Sequence, residues 1–166
     1  SSDLTGAYEY FAKSASGKVA DARATSPSPA VVVVSILSTE GDGTASDELI
    51  ATVNDTLSAD DKRPVADRLT VQSAEIVNYE IDALLYLYPG PESEPILSAA
   101  DDALRAWLAE QGKIGRDVAR SAIMAALHVQ GVQRVVLLNP PEDIVIDDTQ
   151  AARCISHTIN VGGTDE

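Results

Sequence analysis

Between residues 69 and 88 the chain alternates apolar and polar side chains for longer than an ordinary strand lasts. Val77, Tyr79, Ile81, Ala83, Leu85 and Leu87 share one parity, and Asn78, Glu80, Asp82, Leu84, Tyr86 and Tyr88 share the other. Side chains alternate between the two faces of a strand, but strands usually end after about five or six residues. A bend or bulge at residues 73–75 resolves the conflict by handing the chain from one sheet to a second. The expected organisation follows from that break: an N-terminal subdomain over residues 1–74 and a C-terminal one over residues 75–166.

The other elements fill in on either side. Leu4, Tyr8, Phe11, Ala12 and Ala15 recur at helical spacing and stop near Gly17. Ala20, Ala22 and Ala24 alternate weakly with polar neighbours, and residues 30–37, rich in valine, suit a strand buried on both faces. Ser26-Pro27-Ser28-Pro29 between them predicts a hairpin. Thr44, with Asp47 three residues on, is the expected cap of a helix whose inner face is Leu49, Ile50, Val53 and Leu57. Residues 60–64 are expected to end it, because the residue before Pro64 avoids the helical region. Beyond Pro89-Gly90-Pro91 a helix from about Ser93 carries Ile96, Leu97, Ala100, Leu104, Trp107 and Leu108 on one stripe, with Gly112 at its end. A second helix is predicted over residues 116–128 and stops by Gly131. Strands over residues 132–138 and 151–161, with a short apolar piece at 144–146, complete the chain. The order αββα then βααββ has no regular βαβ alternation, which makes the fold class α+β. Each half is a small mixed or antiparallel sheet with helices packed on one face.

Composition narrows the function classes. Aromatics are 4% of a chain that is 45% hydrophobic, so the core is aliphatic. Twenty-six acidic against 12 basic residues give a net charge of −14. Such a surface repels phosphate backbones and anionic membranes, so neither nucleic acid nor membrane insertion is expected. The charge serves solubility or offers a face to a basic partner protein. Cys154 is the only cysteine, which removes any intrachain disulfide and fits a cytosolic setting. The chain opens at Ser1 with no secretory signal pattern, and Met124 is its only methionine. That reads as a processed product or a fragment of something longer.

No group of residues assembles a convincing catalytic or cofactor site. Gly41-Asp42-Gly43-Thr44 stands between a strand and a helix, but a phosphate loop needs wrapped backbone N–H groups and a lysine. Asp42 instead puts a negative charge there, so a plain turn is expected. Cys154 and His157 are three apart on a predicted strand and point to opposite faces, and His128 is the only other histidine. A structural zinc site needs four ligands. The acidic pairs Asp60-Asp61, Asp101-Asp102 and Asp147-Asp148 would have to converge in a cleft to do acid–base work or hold a cation. Arg116, Arg120 and Arg134 are expected to pair with the surplus carboxylates. The expectation is no catalytic, no cofactor-binding and no metal-ligating residue.

Whole phrases carry a more specific signal. Residues 26–38 followed by Gly41-Asp42-Gly43-Thr44 form one, and Arg63-Pro64-Val65-Ala66-Asp67 with residues 69–74 another. The third runs over residues 115–132 and on to Asn139-Pro140-Pro141 and residues 162–166. Together they resemble the C-terminal part of the baseplate J-like family of contractile-tailed phages, in order and over nearly the whole chain. Two departures are mild: Ala30 stands where glycine is common, and Val65-Ala66 where Leu-Thr is common. The resemblance implies a structural wedge component of the tail baseplate in the virion, made and assembled in the bacterial host cytoplasm. Its implied partners are other wedge and hub proteins and neighbouring copies of itself, with no enzymatic activity. The alternative from another class is a small-ligand or regulatory binding module built of ferredoxin-like subdomains.

Overall fold

The parities of the sequence become two three-stranded sheets. The computed structural model describes residues 2–59, 68–90 and 92–164. In chain order the elements are α1 (Ser2–Ala15), β1 (Val19–Ser28), β2 (Val31–Ser38), α2 (Asp47–Leu57), β3 (Arg68–Ser73) and β4 (Glu75–Leu87). They continue with α3 (Ser93–Gln111), α4 (Arg120–Leu127), β5 (Val132–Asn139) and β6 (Gln150–Thr164). The fold is α+β, as the element order requires. One compact unit comprises Ser1–Val77, Lys113–Arg116 and Ile146–Ala151, and the other Asn78–Gly112, Asp117–Val145 and Ala152–Glu166.

In the first unit the sheet order is β1-β2-β3. β1 and β2 form the predicted hairpin, antiparallel from Val19↔Ser38 to Ser28↔Val31. β2 and β3 are parallel from Val31↔Arg68 to Ile36↔Ser73. A parallel pair needs a crossover, and α2 lies within it, so the first half reads αββαβ rather than αββα. Val32, Val34 and Ile36 are fully buried and join Tyr8 and Ala12 of α1 and Leu49, Val53 and Leu57 of α2 in one cluster. Fully burying one such aliphatic side chain stabilises by about 1.5–3 kcal/mol. Two-sided burial of β2 holds for its C-terminal half only. Val31 and Val33 stay half-buried, whereas Leu37 packs with Ala74, Ile76, Ile114 and Ala151 in a second cluster. Ser35, 1% exposed, accepts a 3.0 Å hydrogen bond from the Gln72 amide.

The expected cap of α2 is corrected. Ser46, not Thr44, is the N-cap, and its Oγ accepts from the Leu49 N–H at 3.1 Å. The Thr44 N–H is held by Asp42 and the Ala45 N–H by Ser73, so the chain stays extended two residues longer. Residues 60–67, including the expected helix stop before Pro64, lie outside the described residues. The break in the long alternation falls at Ala74, whose N–H bonds to the Ile36 carbonyl while Glu75 N–H bonds to the Thr149 carbonyl.

In the second unit the sheet order is β5-β4-β6. β4 and β5 are antiparallel, with Ala83↔Leu137 and Leu85↔Val135 among the pairs. Tyr79, Ile81, Ala83, Leu85 and Leu87 are buried as their parity requires, and the opposite parity of β4 is half or fully exposed. Ala100 and Leu104 of α3 and Ile123 and Leu127 of α4 are completely buried. Helix α4 begins at Arg120 instead of the predicted 116. Val118 exchanges two backbone hydrogen bonds with Ile144, both 2.9 Å, so the segment before the helix is recruited into a β-bridge.

Candidate functional surfaces

Several of the groups singled out in the sequence have a local structural task. At Gly41–Thr44 the two glycines take positive φ, 60° and 100°. Asp42 Oδ1 accepts from the Thr44 N–H at 2.9 Å, and the Gly43 carbonyl accepts from Ser38 at 2.8 Å. The loop is a side-chain-closed turn, and the N–H groups of Gly43 and Thr44, which an anion would need, are already given to the Glu40 carbonyl and the Asp42 carboxylate.

Cys154 donates to the Ser156 carbonyl at 3.2 Å and lines a small cavity with Tyr79, Leu108 and Gln111. Burial pushes its thiol above the ordinary value, and the Glu80 charge adds to this. A thiol held protonated is a poor nucleophile. Burial likewise raises the Tyr79 phenol. His157 Nε2 instead lies 2.9 Å from Asp101 Oδ1, and Asp101 Oδ2 takes Arg105 Nε at 2.7 Å. The Arg105 hydrogen bond, with His157 adding, holds the Asp101 carboxyl below the usual carboxylate range. Among the described residues no three or more His, Cys, Asp or Glu side chains are placed to hold a metal ion.

Asp147 and Asp148 turn to different partners. Asp147 closes a turn by accepting from both the Thr149 hydroxyl and its N–H, which lowers its pKa. Its neighbour Asp148 meets Arg23 at 2.9 Å. Asp60 and Asp61 lie outside the described residues. One of the arginines also departs from expectation. Arg120 gives its guanidinium to the carbonyls of Pro140 and Leu137, and its own N–H to Asp143, so it pins the loop after β5. Arg134 stacks on the Tyr86 ring, 4.0 Å from its centroid, a cation–π contact.

Sequence reasoning missed one surface. Lys13 of α1, Arg23 of β1, and Lys113 and Arg116 line a concavity of about 490 Å³ within the first unit, beside Glu9 and Asp21. Its residues are up to 107 positions apart, and no local signal marks them. In the second unit Tyr79, Asn139, Pro140, Ile144 and Val145 border a concavity of about 500 Å³, and Val145 is 79% exposed.

Two small α+β units, each a three-stranded sheet with helices, define the fold class of the chain. Residues 5–73 match the model of the baseplate J-like central domain, and residues 79–161 that of the baseplate J-like protein C-terminal domain. The chain belongs to the baseplate J-like family. It is 56% identical over 161 residues to baseplate protein J of Escherichia phage P2. The alignment takes in 97% of this chain and 53% of the phage P2 protein, so the chain spans about half the length of that relative.

Proposed function

We propose that the chain is a structural wedge component of a contractile-tail baseplate, residing in the virion tail after assembly in the bacterial host cytoplasm. It acts through contacts with other wedge and hub proteins and with neighbouring copies of itself, and it is not an enzyme. The observation that carries this reading is the 56% identity to baseplate protein J, which extends over 97% of the chain. It is supported by several of the candidate groups themselves: His157, Cys154, Asp101, Asp147, Asp148 and Arg120 are engaged in turns, bridges and loop clamps. Family membership favours this reading over the small-ligand module. Residues 1–74 and 75–166 are proposed as its two subdomains, supported by the passage from one sheet to the other at Ala74.

Co-purification with the tail proteins of the same phage tests the reading. The chain, carried in its full-length protein, is expected in isolated tails and in pull-downs with other baseplate proteins. Absence from tail particles sinks it. Replacing Cys154 by Ala and both His128 and His157 by Gln is expected to leave tail assembly and infectivity intact. Loss of either with the fold preserved would point to chemistry at these groups.

A further inference from the structure

In the second unit the two parities of β4 meet different surroundings. Buried Tyr79 shares a cavity with Leu108 and Gln111 of α3, so its parity looks toward that helix. The other parity, Glu80, Asp82, Leu84, Tyr86 and Tyr88, is half or fully exposed. On β5, Val136 pairs with Leu84 and Arg134 with Tyr86. Leu138, two residues beyond Val136, is 47% exposed, and Tyr88 is 56% exposed. Large apolar side chains gathered on one open face mark a contact surface.

The order of side chains along this face is self-complementary. Two carboxylates, Glu80 and Asp82, precede Leu84, and two phenols, Tyr86 and Tyr88, follow it at the same two-residue steps. The Tyr86 ring is held in place, with the Arg134 guanidinium 4.0 Å from its centroid and Gly162 so close that a Cβ there would come within 2.6 Å of the ring. Arg134 is engaged within its own chain, so the complementarity is one of carboxylates and phenol hydroxyls. Glu80 accepts from the Ser156 hydroxyl at 2.9 Å through one oxygen, and a carboxylate can accept about four such bonds.

Sheets pack face to face about 10 Å apart. A two-fold axis that crosses the strands at Leu84 sets the strands of two copies antiparallel. Leu84 then meets Leu84, Asp82 meets the Tyr86 hydroxyl of the second copy, and Glu80 meets its Tyr88 hydroxyl. A two-fold axis along the strands would instead set carboxylate against carboxylate.

We propose that this face of β4 and β5 is an interface with a second copy of the chain, related by a two-fold axis at Leu84. Such an interface is isologous, the same patch serving on both copies. The inference rests on the reading that neighbouring copies touch, and it names the surface. A face three strands wide is at the small end for a specific interface, where about 800 Å² per partner is ordinary. Association is therefore followed over a concentration series.

The test is analytical ultracentrifugation of the intact chain as wild type, Leu84→Lys, Leu84→Glu and an equal mixture of the two variants. Wild type is expected to approach dimer mass as concentration rises. Each variant alone sets like charges on the axis and should stay monomeric with an unchanged circular dichroism spectrum. The mixture sets Lys against Glu and should associate again, to within about tenfold of wild type. If either charged variant unfolds, Tyr86→Phe with Tyr88→Phe keeps both rings and removes the hydroxyls, and should weaken association about tenfold or more. A wild type that stays monomeric throughout overturns the interface. Folded variants that associate as wild type does overturn it too, and would leave copies touching elsewhere. Folded variants whose mixture stays monomeric overturn the axis at Leu84. The baseplate reading is tested separately, by presence in tail particles.

Discussion

The hairpin turn between β1 and β2 holds a residue ill suited to its backbone, and replacing it should stabilise the protein. Ala30 has φ 63°, the only non-glycine with positive φ among the described residues. Pro29 precedes it with φ locked near −65°. A negative φ followed by a positive one is the pattern of a type II turn, which prefers glycine at its third position. An L-residue held in the left-handed region costs about 1–2 kcal/mol. Glycine escapes that cost but loses more freedom on folding, about 0.5–1 kcal/mol. Ala30→Gly is therefore expected to gain about 0.5–1 kcal/mol, or about 1–4 °C in midpoint for a chain of this size. The Ser26 hydroxyl, bonded to the Val31 carbonyl at 2.8 Å and the Ser28 carbonyl at 3.1 Å, holds the turn in either variant. Scanning calorimetry gives the midpoint, and urea unfolding followed by circular dichroism should show the same slope, because the surface exposed on unfolding is unchanged. Ala30→Val is the opposing control and should lose about 1 kcal/mol or more, since a branched side chain tolerates positive φ poorly. A glycine variant no more stable than wild type refutes the reasoning.

Three further outcomes follow from the second unit. A Cβ at Gly131, where φ is +97°, would lie 2.7 Å from Ile96 Cδ1. Gly131→Ala should therefore cost about 2–4 kcal/mol, read by Trp107 fluorescence during urea unfolding. Arg120→Ala removes the guanidinium from the Leu137 and Pro140 carbonyls and should cost about 1.5–3 kcal/mol in the same assay. Asp101→Asn tests the sign of a titration. The folded carboxyl, held low by Arg105 and then by His157, stabilises above its unfolded pKa of about 3.9, and that stabilisation is lost as pH falls through the folded value. The variant should be slightly less stable than wild type at neutral pH, and the gap should close on acidification below about pH 4. A gap that widens in acid contradicts the assignment.

What the sequence made legible was local. The alternation at residues 77–87 and the hairpin at Pro29 rest on period and turn chemistry, and both stand in the fold. The errors came where distant residues decided. Thr44 looked like the cap because Asp47 follows at the right spacing, but Ser73 holds the Ala45 N–H and moves the helix start on to Ser46. Residues 116–119 fit a helical stripe, yet Ile144 supplies Val118 with two hydrogen bonds that a helix start would not. Arg120 was expected to find a carboxylate for its side chain and found two carbonyls, because it reaches the loop after β5. The basic concavity left no trace in the sequence, since α1, β1 and residues 113–116 meet only through the fold.

The same long-range logic bears on where the chain divides. A cut after residue 74 separates the two sheets but runs through the second buried cluster. Leu37 and Ala74 pack with Ile114 and Ala151, which come from segments far along the chain, and Ile114 is 1% exposed. Ile114 N–H also satisfies Asp21, and Gly115 N–H bonds to the Gln150 carbonyl at 2.9 Å. Removing these segments uncovers one face of the Leu37 end of β2 and leaves the Asp21 carboxylate short of a donor. Ile114→Ala in the intact chain should cost about 2–5 kcal/mol, the usual range for a buried large-to-small change. Residues 1–77 expressed alone lose that side chain together with its neighbours, so they should be destabilised by at least as much. Such a loss is a large part of the stability of an ordinary domain. Urea unfolding of the fragment, followed by circular dichroism beside the intact chain and Ile114→Ala, measures both effects. If the fragment matches the intact chain, the returning segments do not stabilise the first unit, and β2 must owe its stability to β1, β3, α1 and α2.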